Sequence, residues 1–341
     1  MRDIKKVTIK DVAQEANVAI ATVSRVLSNN YPVSKQTRKN VLDAVKKLNY
    51  RPNSIARSLK AQQTFLVGMV VADLSNPFFM KLTKGVEHYL WENGYNIIIA
   101  EHEENPKKEQ QIVEMLLENK VAAIITTTCH PDKRYYKNLK DTGVPIVFVD
   151  RRIEGCEMDT IVEDNEANSR ELVEHLLSLG HRRIVVVNGD LSVNTALDRY
   201  QGYVSAFARR GIEVDERYVI NANLGPSYPI IKRVLQEYGR EQWPTVIYGT
   251  NNLRAEAALR VCMDLQMRVP QDISVVSYGD IAMPWLYSLK LTHIDQDMVR
   301  IGKKAGEIVI RKVRQPSDTV TEYIIESRIV IGNSVRDLRQ G

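Results

Sequence analysis

A short predicted helix near the start of the chain places Ala21, Ser24 and Arg25 on one face, opposite its apolar residues. An arginine guanidinium can donate to the O6 and N7 atoms of guanine, and small apolar side chains can contact thymine methyl groups. Ile20 lies between the two faces. The same pattern also fits a solvated helix in which Ile20 is a core residue and Arg25 only faces water, so the surroundings of the helix have to decide.

The positive charge of the chain is concentrated around this helix. Residues 1–62 contain thirteen Lys and Arg against four Asp and Glu, a net charge of +9, whereas the whole chain of 341 residues carries +5. The other 279 residues therefore carry −4, the difference between these two values. A basic head on an acidic body is typical of a nucleic-acid-binding segment attached to a domain with another task. The alternative is a basic, solvated tail.

Apolar periodicity indicates that the basic head folds. Thr8 with Asp11 resembles a capping box at the start of a first helix, and Asn17 can end that helix in the left-handed conformation. A second helix is predicted from Ile20 to about Ser28. A third begins after a capping serine at position 34 and runs to about residue 48. Three short helices with a tight turn between the first two predict a helix-turn-helix unit over residues 1–50, whose second helix lies in the DNA major groove.

These residues resemble the LacI/GalR family of bacterial repressors. The matching runs are Val7-Thr8-Ile9-Lys10-Asp11-Val12-Ala13, Ala21-Thr22-Val23-Ser24-Arg25-Val26-Leu27, Leu48-Asn49-Tyr50-Arg51-Pro52-Asn53 and Ala56-Arg57-Ser58-Leu59. The resemblance implies that the base-reading positions are Ile20, Ala21 and Arg25. The full predicted DNA-contacting set is Thr8, Ile20, Ala21, Thr22, Ser24, Arg25, Asn53, Ala56 and Leu59. Ala19 departs from the family's usual capping serine, which costs about 1 kcal/mol of helix stability and puts a phosphate contact in doubt.

Residues 51–62 are predicted to be a hinge between head and body. The stretch from Asn53 to Lys60 has helical potential but is too short to be a stable isolated helix. The resemblance implies that it folds in the DNA minor groove, with Ala56 near the groove floor and Leu59 wedged between base pairs. The alternative is a plain linker with Leu59 packed on the body.

The remaining chain, residues 63–341, alternates predicted strands and helices in two halves. Apolar runs such as those ending at Val71 and Val187 are typical of buried parallel strands. The predicted fold class is α/β: an all-α helix-turn-helix head followed by two doubly wound parallel sheets, similar to periplasmic sugar-binding proteins. The resemblance implies three chain crossings between the lobes, placed near 162, 289 and 320, and assigns effector binding and dimerisation to this domain.

Candidate ligand-binding residues follow the predicted strands of the body. In doubly wound sheets, ligands bind beyond the carboxyl ends of the strands. Aromatic rings at 78 and 79 can stack on a sugar face or a base, Asp150 can accept hydrogen bonds from hydroxyl groups, and Arg199 can form a fork onto an acceptor pair. The resemblance completes an effector-binding set of Phe78, Phe79, Asp150, Thr195, Arg199, Asn251 and Gln296. The alternatives are core packing for Phe78 and capping for Asp150 and Asn251.

Three positions depart from the family pattern. Gly279 and Asn252 stand where aspartates are usual, and the segment Asn221-Ala222-Asn223 lacks an aromatic residue. The cleft would then have lost two carboxylates while keeping Arg199, with Arg151 nearby. The expected effector is therefore a sugar or sugar derivative, with a tendency toward an anionic one.

The sequence lacks the motifs of several classes of enzyme. The sequence has no GxSxG, P-loop, HExxH or GxGxxG pattern, so no enzyme activity, cofactor or metal is expected. The run Glu101-His102-Glu103-Glu104 is interpreted as a solvated strand end. Three widely spaced cysteines predict reduced thiols, and the absence of an apolar run of 18 residues or of a secretory signal predicts a cytoplasmic protein without membrane contact.

The sequence therefore predicts a dimeric, ligand-responsive repressor of a carbohydrate operon that binds a palindromic double-stranded DNA operator. One alternative keeps the family but makes a partner protein the controlling signal. Others are a sugar-binding transport protein, which conflicts with the basic head, and an α/β enzyme, which conflicts with the missing nucleophile and cofactor loop.

Overall fold

The computed structural model describes residues 7–28, 32–50, 64–222, 226–283 and 289–339. The chain divides into two compact units, Met1–Thr64 and Phe65–Gly341. The predicted hinge contacts Asn53, Ala56 and Leu59 lie outside the described residues.

The first unit contains the three predicted helices: α1 (Ile9–Glu15), α2 (Ile20–Ser28) and α3 (Lys35–Lys47). The amide and hydroxyl of Thr8 both donate to the Asp11 carboxylate at 2.7 Å, and the turn after α1 contains Asn17 in the left-handed conformation, with φ 50°. The third helix begins with a hydrogen bond from its own backbone to the Ser34 hydroxyl. One apolar side chain of each helix is fully buried in a shared core: Val12, Val23 and Val41.

The second unit contains two lobes, each built on a six-stranded sheet. The elements of the first lobe are β1 (Leu66–Val71), α4 (Pro77–Glu92), β2 (Asn96–Glu101), α5 (Pro106–Glu118), β3 (Ala123–Thr126), α6 (Lys133–Lys140), β4 (Ile146–Val149), β5 (Asp159–Glu163), α11 (Met298–Arg314) and β11 (Glu322–Ile325). The elements of the second lobe are α7 (Asn165–Ser178), β6 (Ile184–Asn188), α8 (Asn194–Arg209), β7 (Val219–Asn221), α9 (Ser227–Glu237), β8 (Val246–Gly249), α10 (Asn252–Asp264), β9 (Ser274–Tyr278), β10 (Thr292–Asp295) and β12 (Arg328–Val330). No described helix is long and apolar enough to cross a membrane.

The strand order is β11-β5-β4-β3-β1-β2 in the first lobe and β12-β10-β9-β8-β6-β7 in the second. Every described pairing is parallel except that of β10 with β12. The fold predicted from the alternating pattern is confirmed. The inner strands β3, β4, β5, β6, β8 and β9 are buried along their whole length because helices cover both faces.

The chain crosses between the lobes after β5, after β10 and between β11 and β12. The predictions near 289 and 320 were too early in the chain. Strands β10 and β11 run to Asp295 and Ile325, so the chain leaves each sheet only after those residues. Strand β11 is a short, partly exposed edge strand, which makes its ends hard to locate from apolar patterning.

Close helix contacts position the segments next to the crossings. Helix α11 follows the second crossing and packs against α4, where a Cβ at Gly302 would lie 2.1 Å from the Leu82 carbonyl oxygen. Helices α7 and α8 also pack closely, since a Cβ at Gly202 would lie 2.3 Å from the Glu166 carbonyl oxygen. Only glycine permits these approaches.

Candidate functional site

Helix α2 exposes the face that the sequence assigned to DNA. Ile20 is 43% exposed, and Ala21 and Arg25 are also exposed, whereas Val23 and Val26 are buried against α1 and α3. The structure thus argues against the alternative in which Ile20 is a core residue. The predicted contacts Thr8, Thr22 and Ser24 are exposed or half-buried.

All seven predicted effector residues line one cavity of about 780 Å³ between the lobes of the second unit. This volume suits a small molecule. The first lobe contributes Phe78, Phe79 and Asp150. The second lobe contributes Thr195, Arg199 and Asn251, and Gln296 lies on the second crossing. The cavity is at the carboxyl ends of the parallel strands, where the fold type predicts it.

Asp150 follows β4 directly in the left-handed conformation, with φ 68°. This conformation is uncommon for a residue with a side chain, and aspartate tolerates it better than most. The carboxylate is buried, and the nearest described cationic nitrogen is Nε of Arg151 at 3.9 Å. Burial raises the pKa of Asp150, against the opposing charges of Arg199 and Arg151. No described amide donates to its carboxylate, so the capping alternative is not supported.

Arg199 is held in place by the second lobe. Its Nε donates to Oδ1 of Asn165 at 2.7 Å, and its Nη1 donates to the carbonyl oxygen of Thr250 at 2.9 Å. The guanidinium lies 3.8 Å from the ring centroid of Tyr278, a cation–π contact. No described residue accepts a hydrogen bond from Nη2. The side chain therefore ties its own helix to two neighbouring segments and still offers donors to the cavity.

The two phenylalanines differ in their surroundings. Their rings meet edge to face with centroids 4.9 Å apart. Phe79 is buried in the core of the first lobe, and Phe78 is half-buried against that core. Phe78 is thus the ring with more surface toward the cavity, and Phe79 supports it from behind.

Asn251 and Asn252 occupy adjacent positions with different tasks. Oδ1 of Asn251 accepts from the backbone N–H of Arg254 at 2.9 Å and caps α10, as the capping alternative stated. Nδ2 of Asn252 donates to Oδ1 of Asn76 at 3.0 Å, a buried hydrogen bond between the lobes. The departure at Asn252 thus does more than remove a carboxylate from the cleft, because an ionised aspartate could not donate to Asn76.

Gln296 belongs to a hydrogen-bonded group that joins all three crossings. Its Nε2 and the hydroxyl of Ser327 both donate to the buried carboxylate of Glu163. Burial raises the pKa of Glu163, and these two hydrogen bonds oppose the rise. A Cβ at Gly279, whose φ is 87°, would lie 2.7 Å from Oε1 of Gln296. The usual family aspartate at that position would therefore be strained in this chain.

Sequence reasoning missed the partners of the cleft arginines. Arg151, which the sequence suggested as a ligand cation, donates to both carboxylate oxygens of Glu104 at 2.5 and 2.7 Å. Arg152 forms an ion pair across the lobes with Asp198 at 3.1 Å. Arg254 also lines the cavity and was not predicted. No sequence pattern links residues so far apart, although a helix start that follows a strand could have directed attention to Arg254.

Two family descriptions match the chain over most of its length. Residues 8–53 match "Bacterial regulatory proteins, lacI family", and residues 64–333 match "Periplasmic binding proteins and sugar binding domain of LacI family". The chain belongs to the LacI family. This membership confirms the resemblance seen in the sequence and disfavours the alternative of a transport protein.

Similar proteins span nearly the whole chain. The HTH-type transcriptional repressor PurR of Photobacterium profundum is 32% identical over 332 residues, covering 97% of this chain and 99% of that protein. The ribose operon repressor of Haemophilus influenzae is 29% identical over 335 residues, with the same coverage. The structure of the lac repressor dimer bound to operator and the anti-inducer ONPF has a TM-score of 0.83, 25% identity, and coverage of 97% and 99%. This LacI-family chain is a transcriptional regulator with a helix-turn-helix DNA-binding unit and an effector-binding unit.

One cluster in the LacI-family body has metal-ligand residue types: the ligand atoms of His102, Glu109 and Cys129 lie within 4.8 Å of one another. The ligand atoms of His102 and Glu109 are already engaged in hydrogen bonds. Nε2 of His102 donates to the Thr127 carbonyl oxygen and its Nδ1 accepts from a backbone amide, while Glu109 accepts from Tyr136 and from the Cys129 amide. Burial lowers the pKa of His102, and its Nδ1 can accept from the Glu104 amide only when that nitrogen carries no proton. The group is a buried hydrogen-bond network, and the expectation that residues 101–104 are solvated was wrong for His102.

Proposed function

We propose that this LacI-family regulator is a repressor that binds a near-palindromic operator as a homodimer and responds to a sugar or sugar derivative in its cleft. The observation that carries the proposal is that all seven predicted effector residues line one cavity between two lobes. The repressors PurR and the ribose operon repressor, with the operator-bound lac repressor dimer, support the assignment. Such a protein acts on DNA in the cytoplasm.

The proposed DNA contacts are those of the exposed α2 face, with Ile20, Ala21 and Arg25 reading bases. Leu59, outside the described residues, is proposed to wedge between base pairs in the minor groove. Exposed apolar side chains near the start of α4 and on the edge strand β2 are candidates for the dimer contact: Leu74, Met80 and Ile99.

The proposed response works through the relative position of the two lobes. A ligand bound by Asp150 of one lobe and Arg199 of the other stabilises the arrangement in which both reach it, because only differential binding shifts a conformational equilibrium. The hydrogen bond between Asn76 and Asn252 already favours one such arrangement. Glu163 joins the three crossings through its hydrogen bonds, and these crossings transmit the change in lobe position within the body.

Selection from randomised double-stranded DNA, followed by titration of a sugar panel against the selected complex, tests this function. We expect a two-half-site sequence, and at least one sugar or sugar derivative that changes operator affinity and raises the unfolding temperature of the protein by mass action. A protein that binds no DNA contradicts the proposal. Operator binding that no small molecule changes, but that a second protein does, favours control by a partner.

A further inference from the structure

Arg254 is a cleft residue that forms no ion pair with any described residue. It lies in the first turn of α10 and lines the cavity between the lobes. Nη2 donates to the Ala222 carbonyl oxygen at 3.3 Å, a long contact, and the buried Nε has no hydrogen-bond partner among the described residues. No described carboxylate lies within ion-pairing distance of the guanidinium. Arg254 is half-buried, and a buried polar nitrogen without a hydrogen-bond partner is costly, so the retention of this arginine needs a cause.

The other cleft arginines have partners. Arg151 is bound by Glu104, and Arg152 is bound by Asp198. Arg199 has two acceptors and an aromatic ring. Of the acidic side chains that line the cavity, Asp73 accepts from Ser75 and Asp190 accepts from Ser192. Asp150 lies 3.9 Å from Nε of Arg151 and is not within ion-pairing distance of Arg254.

The backbone at Gly189 leaves room for the guanidinium of Arg254. A Cβ at Gly189, directly after β6, would lie 2.7 Å from Nη2 and 3.1 Å from the guanidinium carbon of Arg254. Glycine at this position therefore leaves the space that the guanidinium occupies. Arg254 thus reaches the carboxyl ends of β6 and β8, where ligands of this fold type bind.

Electrostatics favour an anion at the same place. Burial, together with the positive charge of Arg199, lowers the pKa of Arg254 to about 10, and the negative charge of Glu104 opposes this only in part. The two guanidinium groups therefore disfavour each other in the empty cleft, and an anion between them would relieve both the repulsion and the lack of acceptors. Arginine presents a planar pair of donors, which matches a carboxylate or a phosphate.

We propose that Arg254, with Arg199, binds an acidic group of the cleft ligand, so that the effector is an anionic sugar derivative bearing a carboxylate or a phosphate. This inference rests on the proposed function, in that it takes the cleft to be the effector site. It goes further by assigning the class of ligand to a residue outside the predicted effector set.

The first test needs no knowledge of the effector. Thermal unfolding of the full chain is followed in inorganic phosphate, in acetate and in chloride at matched ionic strength, for the wild type, for Arg254→Met and for Arg233→Met. Met keeps the apolar stem without the charge, and Arg233 is a matched control because its side chain is 71% exposed on α9. The control also accounts for the general stabilisation of proteins by phosphate.

We expect phosphate or acetate to raise the unfolding temperature of the wild type and of Arg233→Met more than chloride does, and this excess to be lost in Arg254→Met. The anion that raises the unfolding temperature identifies the acidic group of the effector as a phosphate or a carboxylate. We also expect Arg254→Met to unfold at a higher temperature than the wild type in chloride, because a half-buried charge without an ion-pair partner has been removed. Equal responses to the anions in the wild type and in Arg254→Met would overturn the proposal.

The second test uses isothermal titration with glucose, glucose 6-phosphate and glucuronate. We expect one of the acidic compounds to bind at least tenfold more tightly than glucose, and Arg254→Met to weaken that compound by about ten- to a hundred-fold. Acidic compounds that bind Arg254→Met as tightly as the wild type would overturn the inference. Operator binding is measured separately, so failure of the acidic-group inference leaves the repressor proposal intact, and loss of DNA binding would contradict only the latter.

Discussion

Arg25 lies on the exposed face of α2, and its replacement distinguishes a contact with a base from a contact with a phosphate. If the guanidinium forks onto a guanine, Arg25→Ala should cost about 1–3 kcal/mol of binding free energy at one base pair per half-site. Arg25→Lys is the matched variant, because it keeps the charge and loses the planar fork. Fluorescence anisotropy on the selected operator and on single-base variants measures both. A loss that is equal on every sequence would instead make Arg25 a phosphate contact.

Asp150 combines a left-handed backbone with a buried carboxylate, and Asp150→Asn keeps the backbone preference while removing the charge. The raised pKa means that the folded protein holds this proton more tightly than the unfolded chain does. The free energy of unfolding therefore falls as the pH rises from the ordinary aspartate pKa through the raised one, and the loss remains at neutral pH. We expect Asp150→Asn to unfold at a higher temperature than the wild type near pH 7, and the difference to shrink in acid.

The same variant should bind the effector less well. Loss of a charged acceptor costs about 1.5–3 kcal/mol, or roughly ten- to a hundred-fold in affinity. Titration calorimetry at neutral pH measures this, and thermal unfolding across the acid range measures the change in stability. A variant that is less stable and binds equally well would show that Asp150 has only a structural task.

At the scale of elements, the two adjacent asparagines at the start of α10 are expected to respond in opposite ways to replacement by aspartate. Asn252→Asp removes the donor to Asn76, whose Oδ1 also caps α4 by accepting from Phe78. Two acceptors would then face each other in a buried site between the lobes, which costs about 1–3 kcal/mol. Asn251→Asp keeps an acceptor at the helix N-cap and adds a favourable charge there, so it should be neutral or stabilising.

Thermal unfolding together with small-angle scattering tests this pair. We expect Asn252→Asp to lower the unfolding temperature or to increase the radius of gyration through lobe opening, and Asn251→Asp to do neither. Identical behaviour of the two variants would contradict the assignment of the hydrogen bond between the lobes.

The elements were more predictable than their side-chain partners. Apolar runs and capping residues such as Thr8 and Ser34 act locally, so the sequence located the three head helices and the central strands. The cleft residues could be named because they follow strands. Pairs such as Glu104 with Arg151 join residues far apart in the chain, and only the folded backbone decides whether they meet. The same reason explains why Asn252 looked like a lost carboxylate before its partner Asn76 was known.

At the scale of the whole molecule, the uneven charge makes a prediction about salt. Residues 1–62 carry +9 and the rest of the chain −4, so the attraction to DNA phosphates comes from the head while the body is mildly repelled. Neutralised phosphates release counterions, so the logarithm of operator affinity should fall linearly with the logarithm of salt concentration. A site with about six to ten phosphate contacts loses roughly a thousand- to a hundred-thousand-fold in affinity between about 50 and 200 mM salt.

Titration of the operator at four or five salt concentrations measures the slope for the wild type and for Arg25→Ala. If Arg25 reads a base, the variant loses affinity at every concentration while its slope stays near that of the wild type. If Arg25 contacts a phosphate, the slope falls by about one contact. An operator affinity that does not change between low and moderate salt would show that the basic head is not the source of binding, because no other described or predicted feature of the chain supplies the required positive charge.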